Sequence, residues 1–118
     1  MIDVRKEIVS LIKEATGLNC YYLCPPIQAT FPCVVHNEVS NSDIVSVQGY
    51  RLAKIAYNMT IYAKTPIEVF DIAAKIDEAI TGIGFIKDYS SPDIYSDGLY
   101  SKTIRFKANI NHKYEIYN

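Results

Sequence analysis

The sequence predicts an α+β fold: a mainly antiparallel sheet of four to five strands with two helices packed on one face. Three observations predict it. Two segments repeat apolar residues at helical spacing, several others alternate apolar and polar with period two, and the strands follow one another through hairpin-type turns, with the helices at separate points of the chain. At 118 residues the chain is long enough for one sizeable core and too short for two, so one domain over 1–118 is expected.

In chain order, Val4, Ile8, Leu11, Ile12 and Ala15 fall on one face of a helix over 2–16, and Gly17 is its natural stop. Cys20 to Cys24 reads as a short edge strand, ended by Pro25 and Pro26, which suit neither a helix nor a central strand. Phe31 to Val39 is a second strand, and Ser40, Asn41, Ser42 and Asp43 open a polar loop running to about Gln48 and Gly49. From Tyr50 to Ala63 the residues Ala53, Ile55, Tyr57, Met59, Ile61 and Ala63 share one face. At about 3.3 Å per residue that strand spans on the order of 45 Å, more than a domain of this size needs, so part of it is expected to project as a hairpin arm. Thr65, Pro66, Ile67 and Glu68 form a capping box with proline at the first helical position. The helix it opens buries Val69, Ile72, Ala73, Ile76 and Ile80 and ends at Gly82. Ile83 to Tyr89 is a short strand, and Ser90, Ser91, Pro92 and then Ser96, Asp97, Gly98 carry the turn chemistry of a long loop. Leu99 to Ile110 is the last strand, with Tyr100, Ile104, Phe106, Ala108 and Ile110 on one face. The predicted order is α-β-β-β-α-β-β.

Lys and Arg number 12 against 13 Asp and Glu, a formal net charge of −1, which leaves no field to steer nucleic acid or an anionic membrane. No apolar run reaches the ~18 residues of a membrane span, and Asp3, Arg5, Lys6 and Glu7 stand where an export signal would be apolar, so a cytoplasmic protein is expected. Cys20, Cys24 and Cys33 are an odd count and are read as strand thiols, not as a disulfide framework. There are 10 Tyr and no Trp. Tyrosine is enriched where protein surfaces meet, because the ring packs while the hydroxyl stays hydrogen-bonded, although it also fills strands.

Chemistry finds little foothold. Cys20, Cys24, Cys33 and His36 have the composition of a zinc site. In extended strands, however, Cys20 and Cys24 lie about 13 Å apart and Cys33 and His36 point to opposite faces, whereas zinc-bound thiolates nearly touch. The same geometry opposes a Cys33–His36 nucleophile, and His36 and His112 are read as edge or surface histidines. Asp71, Asp77 and Glu78 fall on the wet side of a regular helix, and Gly82 and Gly84 follow a helix where a phosphate loop would precede one. No catalytic residue, cofactor or metal is expected.

Phe31-Pro32-Cys33-Val34-Val35 with Glu38, then Ile61-Tyr62-Ala63-Lys64-Thr65 leading into the helix with Ile76-Asp77-Glu78-Ala79, then Gly84-Phe85, and finally Tyr100, Lys102 and Arg105-Phe106, resemble the tail-terminator proteins of long-tailed bacteriophages and prophages, also called tail-to-head joining proteins. The resemblance covers nearly the whole chain. It implies a subunit that assembles in the host cytoplasm as a ring of itself, six-membered, on the last ring of the tail-tube protein. There it stops elongation, presents a surface to the head-completion protein and ends in the virion at the head–tail junction. Contacts are expected from Asn41, Ser42, Asp43, Gln48 and Tyr50 in one loop and from Tyr89, Tyr95 and Asp97 in the other. The C-terminal stretch with Tyr114 and Tyr117 is apolar enough to dock on a neighbour. Two other readings stay open: another head–tail connector or minor tail protein, and a small-molecule-binding regulatory domain with a polar pocket at a sheet edge.

Overall fold

The computed structural model describes residues 2–45 and 51–116. Helix α1 spans Arg5–Thr16 and ends where Gly17 takes a left-handed conformation, φ 71°, and returns its N–H to the Lys13 carbonyl. Helix α2 spans Pro66–Gly82, opened by the Thr65 hydroxyl, which accepts from the Glu68 N–H at 3.2 Å. Between and after them run β1 (Cys20–Tyr22), β2 (Cys33–Val45), β3 (Arg51–Ala63), β4 (Ile86–Ser90), β5 (Ile94–Ser96) and β6 (Leu99–Ile110).

These make one six-stranded sheet in the order β1-β2-β3-β6-β4, with β5 also on β6. Only β1 runs parallel to its neighbour; every other pair is antiparallel. The α+β class and the mainly antiparallel sheet are as the sequence predicts, with β5 a short strand inside the stretch that the sequence predicts to be a long loop.

Register explains the single core. Tyr57 stands across from Phe106, Met59 across from Ile104 and Ile55 across from Ala108, so all six odd residues from Ala53 to Ala63 share one face with the apolar row of β6. Both helices cover that face. Val4 just before the first helix, Ile8 and Ile12 within it, and Ile72, Ala73, Ile76 and Ile80 of the second pack into the same cluster. The opposite face carries a polar ladder along its centre, where Thr60 and Thr103 share a hydroxyl hydrogen bond of 2.9 Å and the Arg105 Nε donates to Asn58 Oδ1 at 3.1 Å.

Four local expectations need correction. The strand beginning near Phe31 does not yield to a loop at Ser40: β2 runs to Val45, with Asn41, Ser42 and Asp43 paired to Ile55, Lys54 and Ala53 past an irregularity at Val39. Their polarity reflects an edge strand wetted on its outer side. Cys24 is not in a strand, because Leu23 at φ 72° turns the chain out of β1. His36 is buried, 2% exposed, among the helix-facing side chains. Finally, the stretch Tyr89 to Gly98 is no free loop. It holds the end of β4, all of β5 and a two-residue turn in which Asp97 and Gly98 both have positive φ, the signature of a tight hairpin.

Candidate interaction surfaces

The sheet has two unlike edges. On one, β4 and β5 are exposed throughout, with Ile86, Tyr89, Ile94 and Tyr95 all at least 47% exposed. This edge is fixed from behind. The Ser91 N–H donates to the Thr103 carbonyl, the Thr103 N–H to the Ser91 hydroxyl, and the Lys102 ammonium to the Ser91 carbonyl at 2.6 Å. Tyr95 packs on Tyr100 with ring centroids 4.8 Å apart, and the Arg105 guanidinium lies 6.0 Å from the Tyr89 ring centre.

On the other edge β1 covers only Val34, Val35 and His36 of β2. Beyond it, a groove follows the start of α1. One part, of about 340 Å³, is lined by Asp3, Arg5, Tyr22, Glu38 and Asn41; an adjoining part of about 490 Å³ reaches Cys20 and His36. Arg5 divides them, lying 5.3 Å from the Tyr22 ring centre and paired with Asp3 at 2.8 Å, which holds the Asp3 carboxyl down to about 2. On the floor, His36 Nδ1 and the Tyr57 hydroxyl share a hydrogen bond of 2.5 Å. Burial, and then the charge of Arg5, lower the His36 pKa, and burial raises that of Tyr57. Burial also pushes the Cys20 thiol up to about 12, so at neutral pH it is a protonated, sluggish nucleophile. Among the described residues, no group of three or more His, Cys, Asp or Glu is placed to hold a metal ion.

The structure separates the expected contact residues. Tyr89, Tyr95 and Asp97 lie together along the β4/β5 edge, whereas Ser42 and Asp43 lie exposed on β2 at the far side of the sheet. Asn41 is half-buried, its amide donating to the Ile2 carbonyl and to Glu38 Oε1, both at 2.8 Å, while its own buried oxygen takes no hydrogen bond among the described residues. Tyr114 belongs to a tail folded on its own chain: Ile116 bridges to Ile110 and packs on Gly84, where a Cβ would meet it at 3.3 Å. The Tyr114 hydroxyl donates to the Asp3 carbonyl at 3.4 Å. Gln48, Tyr50 and Tyr117 lie outside the described residues.

A scan against protein-family models and a search of curated proteins find no match for this chain.

Sequence reasoning passed over Ile86, Ile94, Leu23 and Ile27, the last fully exposed beyond the proline pair. The signal for Ile86 was hidden because β4 carries a register irregularity at Asp88: it puts Ile86 and Tyr89, three apart, on one face, which strict alternation forbids. Exposed apolar residues thus lie at both edges, and Ile67 and Phe70 on the outer side of α2 are exposed as well.

Proposed function

We propose that this chain is a ring-forming structural subunit, the tail terminator of a long-tailed phage or prophage, which seats on the end of the tail tube, stops its growth and offers a surface to the head-completion protein. The observation behind this reading is the pair of unlike, partly apolar sheet edges on opposite sides of one sheet. Unlike surfaces on opposite sides favour head-to-tail association, and head-to-tail association closes into rings when the rotation allows. The paired β2 and β3 strands, 13 residues each, add a long ribbon for axial contact, in keeping with a molecule whose principal extents are 51 × 24 × 23 Å. The resemblance in the β2, α2 and β6 segments supplies the biological setting.

Mass in solution tests it, measured alone and with the tail-tube protein. A six-membered ring, formed by the chain itself or on the tube, is the expected result, together with tubes of uncontrolled length when the chain is withheld. A strict dimer unchanged by tube protein overturns it.

One observation favours a second reading. The groove around Arg5 and Tyr22 is the polar pocket at a sheet edge that a metabolite-binding regulatory domain requires. Thermal upshift with a panel of small polar metabolites, and no mass change with tube protein, would favour it.

A further inference from the structure

Backbone direction identifies which groups each edge offers. The Val34 N–H donates to the Asn19 carbonyl and the Leu23 N–H to the His36 carbonyl, so the even residues at the start of β2 turn their backbone groups outward. Glu38 continues that row. Past the irregularity at Val39 the row shifts to Asn41 and Asp43, which stand across from Ile55 and Ala53 as Glu38 stands across from Tyr57. At the other edge, the Ser91 N–H donates to the Thr103 carbonyl, so the odd residues of β6 face β4, and Ile86 and Tyr89 face them in return. Lys87 and Ser90, across from Phe106 and Ile104, therefore turn outward.

The two outward rows match. Each has an irregularity between its outward residues, so Glu38 and Asn41 are three apart, as are Lys87 and Ser90. All four side chains lie on the helix-bearing face, since their cross-strand partners Tyr57, Ile55, Phe106 and Ile104 are core residues. On that face β2 carries acceptors, and β4 carries an ammonium whose three N–H groups include one used by Asp77 at 2.9 Å. On the other face, Ile86 and Tyr89 at one edge correspond to the exposed Ile44 at the other. Strand sense agrees as well. β2, β3, β6 and β4 alternate in direction, so a second sheet added in the same orientation sets its β4 antiparallel to β2.

We propose that β4 of one copy pairs antiparallel with the uncovered stretch of β2 in the next, Ser90 across from Glu38 and Lys87 across from Asn41, the ammonium entering the groove lined by Glu38 and Asn41. This rests on the ring reading above and specifies its lateral interface. The irregularities and charges at each edge resist indiscriminate strand addition. A guarded edge, however, has no use for the isoleucines and tyrosine that flank those charges.

Two variants test it. Lys87→Glu places a carboxylate beside Glu38 and is expected to weaken self-association by about tenfold or more, the scale of a close interfacial charge pair, with an unchanged far-ultraviolet spectrum. Glu38→Cys combined with Ser90→Cys puts thiols within disulfide range only between copies, because the two positions lie at opposite edges of the sheet. On mild oxidation the double variant is expected to give a ladder of covalent multimers that neither single variant gives. Copies that associate as well with Lys87→Glu as without it, and that ladder no more than the singles, overturn the edge pairing and leave the ring reading standing. A chain that stays a single copy, alone and with tube protein, overturns both.

Discussion

At the scale of single residues, the His36–Tyr57 pair concentrates the polar risk of the core. Tyr57 is wholly buried and stacks on His36 with ring centroids 5.7 Å apart, while Tyr22 covers the outer side of the imidazole at 5.2 Å. Tyr57→Phe preserves the ring volume and removes only the hydroxyl, leaving His36 Nδ1 buried without its partner. The expected loss is about 1–3 kcal/mol, read as a lower urea midpoint at unchanged slope. A pH dependence follows from the same site. The folded His36 holds its proton less well than the ordinary value of 6.5, because burial and Arg5 disfavour the imidazolium. Unfolding therefore takes up a proton as pH falls through that value: stability is full above about 6.5 and declines below it. Melting temperature measured from about pH 7 to about pH 5 should fall in the wild type, and His36→Gln should flatten that slope. Asp3, held to about 2 by Arg5, titrates in a separate and more acidic window.

At the scale of elements, the capped helix is the most transferable piece of sequence logic. Thr65→Ala removes the acceptor for the Glu68 N–H and is expected to cost about 1 kcal/mol, measured by chemical denaturation, with no change in assembly, since the cap follows the end of β3, a central strand. α2 was legible because cap, proline, buried stripe and stop agree over 17 residues. β3 and β6 were legible because both are central strands covered by helices on one face only, which makes polarity alternate. The edges were not. The far part of β2 is wet enough for Asn41, Ser42 and Asp43 to look like a loop, and register irregularities at Val39 and Asp88 break the alternation that would have placed Val39, Ile86 and Tyr89. The Asp97–Gly98 turn was recognised as a turn. Its pairing partner, three residues of β5, is too short for periodicity to register. The candidate surface was thus half legible: Tyr89, Tyr95 and Asp97 were named from the sequence, while the groove of Arg5, Tyr22 and Glu38 depends on α1 meeting β2 across the fold.

At the scale of the whole molecule, the proposed ring would use both of the unlike edges in every copy. A two-fold dimer would pair like edge with like edge and leave the other pair bare, whereas a closed ring leaves none. Mixing separates these arrangements. Tyr89→Asp places an acid on the exposed β4 edge, where Tyr89 is half-exposed and absent from the core, so the chain should fold as the wild type does, within about 0.5 kcal/mol. Its β2 edge remains intact. In a head-to-tail ring such a chain still enters by its good edge and then blocks closure, so the fraction of intact rings should fall as the sixth power of the wild-type fraction in a six-membered assembly. A dimer formed through that edge would fall only as the square, and one formed through the β2 edge would not respond. Native mass spectrometry across a titration of Tyr89→Asp into wild type reads the exponent directly. A flat response would show that the exposed edge of β4 takes no part in holding copies together.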